Sequence, residues 1–273
     1  MVARRGIVRS SRLLVLLVVG ALAAGCATAP DPKDSAALAE YQQINDPAEP
    51  TNRAIFSFNR FLDSALLKPV AAAYRDYTPE FFQRSIHNVL NNLRTPVILF
   101  NDVLQGEFKR AGITLGRFLI NSTIGVAGIG DPATDFGLPF HNEDFGQTLA
   151  VWGADEGPYV MLPILGPSNP RDTIGIVVDI LIDPLNWWAS NTDRDWVPFA
   201  RSGVRAVDSR SRNIDALDDL EKSSLDFYAA IRSLYRQRRA DEITNGEASA
   251  NMPAPGLGEI DGPSFGGEVS EAK

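Results

Sequence analysis

A mostly α-helical, single-domain fold is the class this 273-residue sequence predicts, and three observations carry it. Apolar residues recur near a 3.6-residue spacing in segment after segment, with no sustained alternation of the kind strands show. Helix-start signals precede several of those segments. The plainest is Thr78-Pro79-Glu80: Thr suits the N-cap, Pro the first helical position and a carboxylate the first turn. After residue 25, no run reaches the roughly 18 apolar residues of a membrane-spanning helix, so the expected helices are amphipathic.

The elements follow in chain order. Residues 1–25 have the form of a signal peptide, with Arg4, Arg5, Arg9 and Arg12 ahead of an apolar stretch from Leu13 to Leu22, then Ala23-Ala24-Gly25. Cys26, the single cysteine, ends an Ala-Ala-Gly-Cys run that resembles a bacterial lipobox, although Ala23 stands where Leu is usual. On that resemblance Cys26 is the acylated first mature residue, and Ala27, in place of Asp, favours the outer membrane. The alternative is an ordinary signal peptide with a chance cysteine. Several acyl chains matter because a single chain holds a protein on a membrane only marginally. Residues 26–45 read as the acylated cysteine and a tether, with a short helix near 36–43, and residues 46–242 as the helical domain.

Within that domain, apolar residues from Ile55 to Leu66 predict a helix over 51–67 that Pro69 stops. A second helix is expected over 78–94, a third restarting at Thr95-Pro96 and running through 97–105, and a fourth over 107–121. The stretch 124–170 is dense in Gly and Pro yet apolar, and an apolar loop of that length in a compact domain is normally functional. Asp172 is expected to cap an apolar helix broken at Asp179 and ended near Pro184, with Trp187, Trp188, Trp196 and Phe199 clustered after it. The longest periodic segment spans 200–239, with Ile214, Leu217, Leu225, Tyr228 and Leu234 among the residues of its apolar side. Residues 243–273, poor in apolar side chains, form an expected disordered tail.

Charge and motifs then exclude function classes. Removing residues 1–25 leaves 273 − 25 = 248 residues, takes Lys+Arg from 26 to 22, and brings the net charge to 22 − 34 = −12. That balance argues against a nucleic-acid partner and against electrostatic capture by anionic lipid. His87 lies within an expected helix as a packed or surface residue. His141, beside Glu143 and Asp144 with Asp131 and Asp135 upstream, belongs either to a cation site or, by preference, to a solvated acidic turn. No Cys–His or HExxH set is present, so no metal and no cofactor is expected. A GxSxG elbow is missing, and GVAGIG (125–130) has neither the spacing nor the lysine of a phosphate loop. No catalytic constellation emerges, and the chain is not expected to be an enzyme.

Four blocks carry a resemblance: DPAEPTNRAIFSFNRFLD (46–63), VAAAYRDYTPE (70–80), LQGEFKRAGITLGRFLINSTIGVAGIGD (104–131) and DFGQTLAVWGADEGPYVMLPILGPSNPRD (144–172). Together they resemble the MlaA (VacJ) family of outer-membrane lipoproteins, over roughly 45–240. The resemblance implies a ring of amphipathic helices embedded in one membrane leaflet around a central channel. It implies lipid anchoring on the inner leaflet of the outer membrane, and partnership with trimeric porins, with phospholipids and with a periplasmic lipid carrier. The function implied is removal of phospholipids that have strayed into the outer leaflet, without bond chemistry. A structural lipoprotein that only braces porins or the envelope is the alternative, with a cryptic phospholipase a distant third. On the resemblance, segment 124–170 is the candidate channel wall and gate, with Gly125, Gly128, Gly130 and Pro158 as candidate residues. Gly153 and Gly157 form either a hinge or a fixed tight turn, and Asn59 either holds the gating region by a hydrogen bond or is a plain surface residue.

Overall fold

The computed structural model describes residues 34, 41 and 44–246. The signal peptide, Cys26, most of the expected helix near 36–43 and the tail beyond 246 lie outside the described residues. Helix α1 (Glu49–Leu62) passes through a five-residue π turn, Asp63–Leu67, into α2 (Lys68–Tyr77). Pro69 therefore does not stop the helix as expected. It lies two residues into α2 within a continuous helix, and the wider π turn, in which the Lys68 N–H reaches back to the Asp63 carbonyl, makes room for its ring at the loss of one helical bond.

Helix α3 runs unbroken from Glu80 to Leu104, straight through Pro96. The expected restart at Thr95-Pro96 does not occur. The Thr95 hydroxyl donates to the Asn91 carbonyl in the turn before (3.1 Å), and packing against α4 (Phe108–Thr123) with Val97 and Ile98 buried holds both halves in line.

Segment 124–170 is not a structureless loop. It contains α5 (Pro132–Asp135), α6 (Phe145–Val151) and an antiparallel hairpin of β1 (Val160–Leu162) and β2 (Gly166–Ser168), with Val160 opposite Ser168. Helix α7 (Pro170–Ile182) is capped by Asn169, whose side chain accepts the Asp172 N–H (2.7 Å), so Asp172 is a first-turn residue and not the cap. Asp179 does not break α7, because its carboxylate is occupied by Asn101 (3.1 Å) and the Phe145 N–H (3.2 Å) instead of competing for its own backbone. The periodic segment 200–239 is carried by three helices, α9 (Trp196–Arg212), α10 (Ile214–Ser223) and α11 (Phe227–Ile243), following α8 (Pro184–Asn191). Asp226 caps α11 by accepting the Ala229 N–H (3.2 Å), and Leu225, assigned to an apolar side, stands fully exposed at that break.

The packing closes a circuit. In order of contact it runs α1, the π turn, α2, α9, α8, α7, α6, α11, β2, β1 and back to α1. Helix α3 crosses between α9 and α6. No described helix is long and apolar enough to span a membrane.

Burial runs opposite to a water-soluble core. Twenty polar or charged residues are buried against eleven apolar ones among the described residues. Meanwhile Phe61, Tyr77, Phe81, Phe108, Trp196 and Phe199 all stand more than half exposed. Exposed apolar surface on this scale marks contact with something other than water.

Candidate functional site

Three asparagines at seven-residue intervals bind the hairpin to the start of the domain. The Asn45 side chain donates to the Gly157 carbonyl and its carbonyl accepts the Tyr159 N–H, both at 2.9 Å. Asn52, fully buried, donates to the Tyr159 carbonyl (3.1 Å) and accepts the Met161 N–H (2.9 Å). Asn59 donates to the Leu162 carbonyl (2.9 Å) and accepts the Ile164 N–H (2.8 Å). The register follows from element geometry. Seven helical residues rise about 10.5 Å, and three strand residues span about 10 Å. Asn52 and Asn59 therefore meet β1 three residues apart in the same bonding mode, each acting as one rung of a missing strand.

Ile164, which Asn59 holds, lies at φ +68. A β-branched residue disfavours that left-handed conformation, so Asn59 restrains a strained turn whose side chain points outward. Among the sequence candidates, Asn59 thus sits against the hairpin and is not a plain surface residue. Gly153 and Gly157 have φ +90 and +71. A Cβ at Gly153 would meet open space, while one at Gly157 would press on the Pro170 ring at 3.2 Å. Pro158 lies between Gly157 and Tyr159, inside the stretch that Asn45 holds.

Of the acidic residues around His141, Asp135 is exposed, whereas Asp131, Glu143 and Asp144 are paired with arginines and do not form a solvated turn. Glu143 is buried between Arg110 (2.5 Å) and Gln105 (2.9 Å), and burial pushes its carboxyl up. Asp144 caps α6, accepting the Gln147 N–H at 3.0 Å. Burial opposes its charge, but the Arg239 guanidinium, 2.7 Å from both oxygens, prevails and brings the carboxyl to about 2. Arg239 also reaches Asp172 (3.0 Å), tying α11 to α6 and α7. At that junction α6 and α7 cross so closely that a Cβ on Gly175 would drive into the Gly146 backbone nitrogen. His141 Nε2 meets Asp102 (3.0 Å), and His87 Nδ1 meets Asp208 (2.8 Å). Sequence reading missed the Asp144-x-x-Gln147 capping pair, a signal that was present.

The glycine turn after α4 is built on side chains. Val126, Ala127 and Gly128 all take positive φ. A Cβ at Gly125 would lie 2.5 Å from the Asn121 carbonyl, and one at Gly128 2.6 Å from Asn92 Cβ, whereas Gly130 has ordinary room. Arg117 forks onto Asp131 at 2.7 and 2.8 Å, and Asn121 joins the same carboxylate at 2.7 Å, fixing the turn.

Two recesses open on α3. One, of about 140 Å³, is lined largely by amides and hydroxyl, Asn88, Asn91, Asn92, Thr95 and Asn121, with segment 124–170 supplying Asp131 and Phe140. The other, of about 210 Å³, opens between α3, α7, α8 and α9. Arg94, Arg201 and Arg205 line it beside Val97, Ile176 and Ile180. Arg201 pairs with Asp183, which is itself occupied as the α8 cap by the Leu185 N–H (2.9 Å). Arg205 donates to the Leu90 carbonyl (2.6 Å), and burial next to Arg94 and Arg201 pulls its guanidinium down to about 10. Asp179 is pushed up to about 6, by burial first. Sequence reasoning had not singled out these arginines, which are 107 and 4 residues apart and share no motif.

An exterior of apolar helix faces, an interior of ion pairs and amides, and amphipathic recesses form an arrangement suited to a lipid environment. A family model described as MlaA lipoprotein matches residues 44–242. The chain belongs to the MlaA lipoprotein family. It is 31% identical over 260 residues to the intermembrane phospholipid transport system lipoprotein MlaA of Haemophilus influenzae, covering 93% of this chain and 100% of that protein. The protein of the same name in Escherichia coli is 32% identical over 244 residues, covering 86% and 89%. A solved structure described as the structural basis for maintenance of bacterial outer membrane lipid asymmetry matches with TM-score 0.66 and 34% identity. That match covers 72% of this chain and 98% of that one. Mostly helical architecture, with no helix among the described residues long and apolar enough to span a membrane, agrees with this MlaA-like fold.

Proposed function

We infer that this protein is an intermembrane phospholipid transport lipoprotein that maintains outer-membrane lipid asymmetry, and not an enzyme. Membership in the MlaA family over residues 44–242 carries the reading, and the inverted distribution of burial supports it. Thirty or more large apolar side chains left in water would be costly at about 1.5–3 kcal/mol for each one buried. Sunk in one leaflet, the same surface stabilises the bound state without any spanning helix.

The finer proposal is a ring whose closed circuit of contacts surrounds an amphipathic path for one phospholipid at a time. The ring lies in the inner leaflet of the outer membrane, anchored through acylated Cys26, beside trimeric porins, and hands lipid to a periplasmic carrier. The hairpin held by Asn59, the 125–130 turn and the Gly153–Pro158 stretch border that path and regulate it. Deleting the protein should raise outer-leaflet phospholipid and detergent sensitivity, and unchanged outer-leaflet lipid would reject the reading. Cys26→Ser should mislocalise the precursor. Photocrosslinkers placed along 120–170 should yield phospholipid adducts as well as porin adducts. Porin adducts alone would instead favour a bracing lipoprotein.

A further inference from the structure

Helix α10 is joined to the rest of the ring by charge more than by packing. Of its ten residues only Ile214, at the first position, is buried. An isolated helix of that length does not hold its shape in water. Asp215, Asp218 and Glu221 recur every three residues along it and so share one side. Each meets a different cation on the helical run of α1, π turn and α2. Glu221 pairs with Arg60, Asp218 with Lys68 through both oxygens (2.8 Å), and Asp215 with Arg75 (3.3 Å). The order is antiparallel, because the acids descend in number as the cations ascend. Arg210 of α9 stands 3.8 Å from Asp218 as a fourth cation. The three pairs stay partly open to solvent, and pairs so placed are individually weak and screened by salt.

The chain on either side of α10 is anchored without it. Before it, Asp208 takes His87 (2.8 Å) and Arg212 (3.2 Å), and Ser211 is buried. After it, the Arg53 guanidinium forks onto Asp226 (2.5 and 3.1 Å), and Phe227 packs edge-on to Phe56 with ring centroids 5.6 Å apart. Regular helix lapses at both ends, at Asn213 and over 224–226, where Leu225 stands fully exposed. We propose that α10 is an ionic strap, which lifts off α1 and α2 as a unit while the ring stays folded, and that ionic strength sets how often it does so. Lifting it uncovers Arg60, Lys68 and Arg75, a basic row on a chain of net charge −8. The closed strap fills that row with the chain's own carboxylates and keeps outside anions from it; the open strap presents it. The device is independent of the cargo assigned to the ring.

The test measures amide exchange of the full acylated chain in detergent micelles at about 10 mM and about 1 M sodium chloride, between which the screening length falls from about 30 to about 3 Å. Exchange over 214–223 should speed up about tenfold, the combined effect of several weak exposed pairs, while α3 stays unchanged. Glu221→Arg should give the same acceleration already at low salt. Swapping the charges, Arg60→Glu with Glu221→Arg, should restore slow exchange there, and thermal melts check that each variant folds. High salt should also make Lys68 react faster with a water-soluble succinimidyl ester, measured against Lys109, which is exposed on α4. Exchange over 214–223 that ignores both salt and Glu221→Arg would mean that packing holds α10, and overturns the strap. Acceleration shared by the whole domain overturns independent opening. Faster exchange with unchanged Lys68 reactivity would mean that α10 melts in place, and overturns its release from the basic row.

Discussion

Replacing Asn59 with Ala isolates the hairpin tip from the rest of the domain. The side chain makes two hydrogen bonds to the turn, at 2.9 and 2.8 Å, each worth about 1 kcal/mol net. The strained Ile164 at φ +68 adds a tendency to open of order 1 kcal/mol. Asn59→Ala should therefore lower the local opening free energy of 160–168 by about 1–3 kcal/mol. At 1.4 kcal/mol per decade, amide exchange at Leu162 and Ile164 should accelerate by about 10- to 100-fold. Global stability should barely change, because the turn is exposed. Asn52→Ala provides the contrast. That side chain is fully buried and its loss strands Tyr159 O and Met161 N. It should cost about 3 kcal/mol and lower Tm by about 6–12 °C at the rate for a domain of this size. Hydrogen-exchange mass spectrometry with a thermal melt reads both. Unchanged exchange at 160–168 in Asn59→Ala, or an Asn52→Ala melt no lower than that of Asn59→Ala, would refute the ladder as the element holding the hairpin.

Further expectations come from other parts of the molecule. Gly175→Ala should destabilise by at least about 2 kcal/mol, since its Cβ collides with the Gly146 backbone. Gly153→Ala, with open space around it, should cost only the backbone strain of about 1 kcal/mol; paired urea melts separate the two. Asp179 titrates near 6 when folded and near 3.8 when unfolded, so the folded state holds the extra proton between those values. Its stability contribution is therefore full below pH 4 and falls as pH rises to about 6, by on the order of 3 kcal/mol. Asp179→Asn, which keeps the acceptor oxygen, should flatten that slope and stabilise the protein at pH 7, as read by urea melts across pH. Trp187, Trp196 and Phe199 are exposed on α8 and α9, so brominated lipids should quench tryptophan fluorescence of vesicle-bound protein. Absent quenching would speak against insertion in the leaflet.

Local chemistry was legible in the sequence, and long-range pairing was not. The 78–80 signal marked where α3 begins, although Pro79 and not Thr78 is the N-cap, with no side-chain cap, and Thr78 ends α2 instead; the 3.6 periodicity placed α1 and α4. Pro96 misled because a proline's local penalty is outweighed when α4 packs along both sides of it. Asn59 was visible as an odd polar residue in an apolar helix, but its partner lies 103 residues away. The clamp of Arg239 on Asp144 spans 95 residues and carries no motif. Acidic residues near His141 looked solvated because a sequence displays charge and conceals the arginine that neutralises it. The arginine recess was hidden for the same reason.

The inverted interior has a consequence for how such a chain survives its journey. A core built on apolar burial is only as firm as the water around it is unfavourable to oil. Here the inner framework consists of directed bonds such as Asn52 to β1 and Arg239 to Asp144 and Asp172. Those bonds do not depend on what the outer face touches. The skeleton can thus be assembled in an aqueous compartment and delivered to a membrane without being rebuilt. Only the solvent on its outside has to be exchanged.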